Sequence, residues 1–182
     1  MSAAATHVFL RHPPLPQMRG LCYGRRDVLL APQVFADAVT ALWAMPDADR
    51  FWRLPILSSP AQRCLGLAQA LAAAGGAVRE VVPEPRLLEM DFGDWEGQAW
   101  SVLPRADLDR WADDVAGFRP PGGECFDDLV RRVAAALTGL RAPHLIVTHA
   151  GVIRAAGHLL GARPIAEAAS IEVPYLQPIR IG

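Results

Sequence analysis

Two arginines and two histidines stand where short apolar runs end. Arg11 and His12 close Val8-Phe9-Leu10, and Pro13-Pro14 stops that run at once. Arg63 follows the run Trp52–Leu57 across Ser58-Ser59-Pro60-Ala61-Gln62. His149 closes His144–Thr148 and leads into Ala150-Gly151. Reactive groups in α/β folds sit just past the carboxyl ends of strands. A histidine there is placed for chemistry, and a guanidinium beside it is placed to hold an anion. If the three runs are parallel strands of one sheet, two guanidiniums, two imidazoles and two helix N-termini converge on one pocket. That set suits a dianionic phosphate. It does not suit a metal, because neighbouring arginines repel cations and no histidine pair has ligand spacing. The expectation is no metal and no cofactor.

The positioning elements read as follows. His7–Leu10, Trp52–Leu57, Val78–Val82 and His144–Thr148 are short, apolar and partly β-branched, as buried strands are. Ser170–Pro174 and Tyr175–Ile181 add one or two more. Helices are expected from Pro32 to about Trp43, from Pro60 to Gly75, from about Glu124 to Leu140 and after His149, each with apolar residues at 3–4 spacing. Ser59 fits an N-cap, Pro60 the first helical position and Gln62 a capping box. The alternation of strands and helices predicts an α/β fold: a three-layer α/β/α sandwich with a mostly parallel central sheet. Residues 90 to 122 hold Trp95, Trp100, Trp111 and Phe118 among aspartates and are expected to form a small helical lid. The whole chain, 1 to 182, reads as a single domain.

Composition narrows the function. The chain has 182 residues, 52% hydrophobic and 20% charged, with a formal net charge of −1. That is a globular composition, and its balanced charge argues against nucleic acid as a partner. All 18 basic residues are arginine, so Schiff-base and P-loop lysine chemistry is excluded. Cys22, Cys64 and Cys125 are far apart and odd in number, which predicts free thiols and a cytoplasmic location. Met1–Thr6 has neither the basic residues nor the apolar core of a secretory signal, and no apolar run approaches the ~20 residues that span a bilayer. The expected partner is a small-molecule phosphate ester, with no membrane association and a monomeric or homodimeric state.

Five blocks in order carry a resemblance. They are Leu10-Arg11-His12, Ser58-Ser59-Pro60-Ala61-Gln62-Arg63, Leu88-Glu89 with Phe92-Gly93-Asp94-Trp95-Glu96-Gly97, Pro121-Gly122-Gly123-Glu124, and Val147-Thr148-His149-Ala150-Gly151-Val152-Ile153-Arg154. Together they resemble the histidine phosphatase superfamily, which includes the phosphoglycerate mutases. Cys22-Tyr23-Gly24-Arg25-Arg26-Asp27 resembles its α-ribazole phosphatase branch, which acts late in cobalamin assembly. The resemblance implies that His12 is the nucleophile and becomes a phosphohistidine. It implies that Arg11 and Arg63 clamp the phosphoryl oxygens and that His149 donates to them. Glu89 would protonate the leaving oxygen and then activate water. Tyr23, Gly24 and Arg25 are the candidate substrate-binding residues.

The chain departs from the family pattern twice. Pro13 stands where glycine usually follows the nucleophile, and Met18 lies near the place of a phosphate-touching asparagine. That contact is expected to be either absent or supplied by Arg19, Arg25 or Arg26. Arg154 reads as an ion-pairing residue rather than a ligand, and His7, His144 and His158 as structural. Trp95, Trp100 and Trp111 read as lid core, with the alternative that one stacks on an aromatic base of the substrate. Two other functions stay open: a phosphoglycerate-type mutase, and a phosphate-binding scaffold of the same fold without efficient turnover.

Overall fold

The structure, a computed structural model, describes residues 5–46, 48–75 and 79–182. Five strands form one sheet: β1 (His7–Arg11), β2 (Ile56–Ser58), β3 (Val81–Pro83), β4 (Leu145–Thr148) and β5 (Pro178–Ile181). Their order is β3-β2-β4-β1-β5, with β5 alone antiparallel. Seven helices are α1 (Pro32–Trp43), α2 (Ala48–Trp52), α3 (Gln62–Ala74), α4 (Arg105–Asp113), α5 (Phe126–Leu137), α6 (Ala150–Leu160) and α7 (Ile165–Ser170).

The sheet is covered on both faces, which is why the successive residues Val8-Phe9-Leu10 of β1 and Leu145-Ile146-Val147 of β4 are all apolar and buried. Val8 and Leu10 of β1 pack with Leu145 and Val147 of β4 against α1, α2 and α3. Phe9 and Ile146 point the other way, onto α5 and α6. Alternate residues of one strand therefore serve two cores. The three-layer sandwich and its mostly parallel sheet are as the sequence predicts.

Several boundaries differ. Trp52 belongs to α2, not to β2; it is fully buried, and its Nε1–H donates to the Leu42 carbonyl at the end of α1. The third strand begins at Val81, and Val78 lies outside the described residues. The fourth runs Leu145–Thr148 and α5 runs Phe126–Leu137, each shorter than its apolar stretch. Only one C-terminal strand forms, because residue 170 ends α7 and Leu176 takes φ +54°. Between them, the Ile171 and Val173 carbonyls accept from Arg154 and Arg11 rather than from a neighbouring strand.

The lid region consists of single 3-10 turns at Gly93–Trp95 and Trp100–Val102, followed by α4. Trp95 and Leu103 are buried there with Cys22. Trp100 and Trp111 stack at 5.7 Å between centroids and 10° between planes. The segment before the lid pairs with it: the Cys22 N–H donates to Gln98 O, and Gly97 N–H to Cys22 O.

Ile146 sits at the centre of the sheet with no exposed surface. Ile146→Ala should lower unfolding free energy by about 2–5 kcal/mol, read from the midpoint of a urea transition. A change under 0.5 kcal/mol would contradict this packing.

Candidate active site

β2, β4 and β1 are adjacent and parallel, with Arg11 opposite Thr148 and Ser58 opposite Val147. This register brings the polar strand ends to one edge. The His12 and His149 rings lie 5.3 Å apart at 65°. Both rings are buried, as is Arg63.

His12 is held from its own chain. Its backbone N–H donates to Thr148 O at 3.1 Å, and its Nδ1 lies 2.7 Å from Pro13 O. A carbonyl can only accept, so Nδ1 carries the proton, and Nε2 keeps its lone pair. Proline at position 13 thus loses an N–H but supplies the acceptor that sets the tautomer. Burial, then the Arg63 guanidinium and, more weakly, Arg11, hold the His12 pKa down to about 3 against the pull of that carbonyl. Burial and Arg63 likewise hold His149 well below its ordinary value. Both rings are neutral at neutral pH.

Arg63 spends both terminal nitrogens on the loop before α1. Its Nη2–H donates to Gly24 O at 2.6 Å and its Nη1–H to Arg26 O at 3.0 Å, with Asp27 at 3.8 Å. Asp27 also accepts the Gln62 N–H at 3.0 and 3.1 Å. The N-terminus of α3 is therefore capped by a carboxylate from the loop, not by Ser59. The cap residue is Ala61, and Ser59 Oγ instead lies 2.8 Å from His149 Nε2 while accepting from Ala61 N–H. The N-terminus of α6 is occupied in the same way: Gly151 N–H donates to Glu89 Oε2 at 3.1 Å. Both helix ends expected to receive phosphate hold protein carboxylates.

The sequence places Glu96 in the Phe92–Gly97 block without a role of its own. Glu96 is the organiser of the loop. Its two oxygens accept from Gly24 N–H at 3.0 Å, Arg25 N–H at 2.8 Å and Arg26 N–H at 3.1 Å. Gly24 is required where it stands, because a Cβ would lie 1.8 Å from Met90 O. The loop is gripped on its amide side by Glu96 and on its carbonyl side by Arg63. The Gly93 to Gly97 bracket around Glu96 was the available sequence signal. Nothing local marks Asp27.

A cavity of ≈250 Å³ opens at this edge. Arg11, His12, Tyr23, Glu89 and Arg154 line it, with Trp100, Trp111 and Phe126 among its apolar walls. Among the predicted residues, Arg63 and His149 stand behind that wall. Gly24 gives its carbonyl to Arg63, and Arg25 turns toward Glu124 at 3.6 Å. Met18 is buried, Arg19 lines a neighbouring groove, and neither Arg25 nor Arg26 faces the cavity. The arginine that does face it, besides Arg11, is Arg154. Trp95 is lid core, whereas Trp100 and Trp111 also line the cavity. Cys64 Sγ lies 3.5 Å from His149 Nε2, and burial pushes its thiol up, so it is no thiolate nucleophile. No group of three potential metal ligands occurs among the described residues.

The profile of the Histidine phosphatase superfamily (branch 1) matches residues 8–181. The chain belongs to the histidine phosphatase superfamily. A bifunctional protein of Mycobacterium tuberculosis is 41% identical over 81 residues, covering 43% of this chain and 21% of that relative. This chain thus spans about a fifth of the mycobacterial relative it matches. A mycobacterial glucosyl-3-phosphoglycerate phosphatase, solved with VO3, superposes with a TM-score of 0.76 at 26% identity, covering 97% of this chain and 92% of that one. The α-ribazole phosphatase of Shigella flexneri superposes with a TM-score of 0.78 at 23% identity, covering 97% and 90%, and so shares the fold. Members of the histidine phosphatase superfamily are phosphatases or mutases. No helix among the described residues is long and apolar enough to cross a membrane.

Two outcomes follow from this geometry. The unfolded chain binds protons at both histidines below their ordinary pKa near 6.5, while the folded chain does not. Stability therefore rises with pH and falls as pH drops below 6.5, continuing toward pH 3 for His12, by up to ~1.4 kcal/mol per pH unit for each ring. Replacing His12 with Asn should flatten this slope in urea titrations at pH 4–7; an unchanged slope contradicts the burial. Second, a Cβ on Gly151 would lie 2.3 Å from Glu89 Oε1. Gly151→Ala should displace Glu89 and cut kcat/KM on a phosphate ester roughly 10²-fold with circular dichroism unchanged.

Proposed function

We propose that the chain is a metal-independent phosphomonoesterase that works through a phosphohistidine on His12. The observation that carries this reading is the single imidazole on the cavity wall whose Nδ1–H is spent on a carbonyl and whose Nε2 has no protein partner. A neutral ring with a free lone pair, held neutral far below physiological pH, is a nucleophile needing no separate base.

The reaction has two displacements. His12 Nε2 attacks phosphorus in line with the ester oxygen; the N–P bond forms and the P–O bond breaks. The departing oxygen takes a proton from Glu89, which lines the same cavity. Water then attacks the phosphohistidine, Glu89 accepts its proton, and the P–N electron pair returns to Nε2. Phosphoryl transfer depends on fixed positive charge and positioning. Arg11 supplies that charge at the wall and Arg63 supplies it from behind, where His149 stands as a neutral hydrogen-bonding group. For these two to donate to the phosphoryl oxygens directly, Arg63 must release a carbonyl of the loop and His149 must release Ser59.

The favoured substrate is α-ribazole 5′-phosphate. The resemblance of Cys22–Asp27 and the aromatic cavity walls support it. Cytoplasmic location, action on a small-molecule ester and a monomeric or homodimeric state belong to the same reading, supported by three free buried cysteines.

The test is direct. The protein should hydrolyse p-nitrophenyl phosphate with and without EDTA, and α-ribazole 5′-phosphate with higher kcat/KM. His12→Ala should lower the rate by about 10³-fold or more. Rapid quench with labelled substrate should trap an acid-labile, base-stable phosphoenzyme. Full activity in His12→Ala, or abolition by EDTA, would sink the mechanism.

A further inference from the structure

Arg154 enters the cavity without a carboxylate bound to it. Its Nε–H donates to Ile171 O at 2.9 Å, and no hydrogen bond or ion pair within 4.0 Å engages its terminal nitrogens among the described residues. By contrast, both terminal nitrogens of Arg63 are spent on loop carbonyls. Arg11 gives one to Val173 O at 2.6 Å and lies 3.6 Å from the Tyr175 ring centroid. The cavity wall thus holds one guanidinium whose whole outer fork is free.

Its place on α6 says what the fork faces. Gly151, which binds Glu89, lies three residues earlier, on the same helix face. Helical side chains lean back toward the N-terminus, so Arg154 leans toward the end of α6 that binds Glu89. Burial lowers the Arg154 pKa, Glu89 opposes that shift and Arg11 adds to it more weakly, which agrees with Glu89 being the stronger of two charged neighbours. Glu89 is the residue beside the leaving oxygen.

We infer that Arg154 is a specificity-determining residue that binds an oxygen acceptor on the leaving group, next to the ester oxygen. The substrate class is then a phosphomonoester whose alcohol carries a hydroxyl, ring or carboxylate oxygen close to the ester, with an apolar or aromatic portion beyond. The polar end of the cavity is Arg11, His12, Glu89 and Arg154; Phe92, Trp100 and Trp111 meet what extends past them. A planar fork with two free N–H edges suits such an oxygen better than an ammonium would. The assignment of the leaving-group side rests on the phosphomonoesterase reading.

The experiment measures binding without turnover. In a His12→Ala background, calorimetry gives Kd for p-nitrophenyl phosphate, adenosine 5′-phosphate and 3-phosphoglycerate, with and without Arg154→Gln. The first ester has no acceptor near the ester oxygen, the second offers ring and hydroxyl oxygens, and the third a carboxylate. Arg154→Gln should weaken at least one of the latter two tenfold or more beyond its effect on p-nitrophenyl phosphate, and Arg154→Lys should restore less than half of that selectivity. Equal weakening of all three places Arg154 on the phosphoryl group and overturns the inference, as does no weakening, or no binding of any ester. Selective binding by a protein that hydrolyses none of the esters would remove the phosphomonoesterase reading and leave the Arg154 contact standing. Hydrolysis without selectivity would do the reverse.

Discussion

The buried guanidinium of Arg63 is the contact on which the site depends. A buried charge is costly unless it is paired, and here two loop carbonyls accept from Nη1 and Nη2 and the Asp27 carboxylate lies 3.8 Å away, while Nε has no partner among the described residues. Through those partners Arg63 fixes residues 24–27 against α3. Through Glu96 the same residues are fixed to the lid. The field of Arg63 adds to the burial that keeps both histidines neutral. One side chain therefore joins helix, loop, lid and both buried histidines, and none of these can be adjusted without disturbing the others.

Much of this was legible in the sequence because it is local. Apolar runs ended by proline or glycine mark β1, β4 and the helices, and α1 begins and ends where its pattern does. The parallel sheet follows from the alternation, and the convergence of strand ends follows from the parallel sheet. What could not be read is long-range polar pairing. Ser59 has the type and spacing of an N-cap, yet its hydroxyl serves His149, ninety residues away in sequence. Asp27 caps a helix thirty-five residues later, and Glu96 binds amides seventy residues earlier. Capping rules describe what a helix end needs, not which distant carboxylate supplies it.

The same limit explains Arg154. Its sequence context, a helix with apolar residues on most sides, suggested an ion pair. No ion pair forms within 4.0 Å among the described residues; Glu89 accepts Met90 N–H and Gly151 N–H, an approach that glycine at 151 permits.

The segment between α7 and β5 has a consequence in time. Arg11 rests on the Val173 carbonyl and against Tyr175, Arg154 rests on the Ile171 carbonyl, and β5 seals the exposed edge of β1. His12 and β1 leave the ribosome before residues 171–181, and neither cavity arginine has its support until those residues have followed. During synthesis the nascent chain therefore carries unsupported arginines beside an open sheet edge. Placement of both guanidiniums and protection from edge-to-edge association arrive together, with the same few residues.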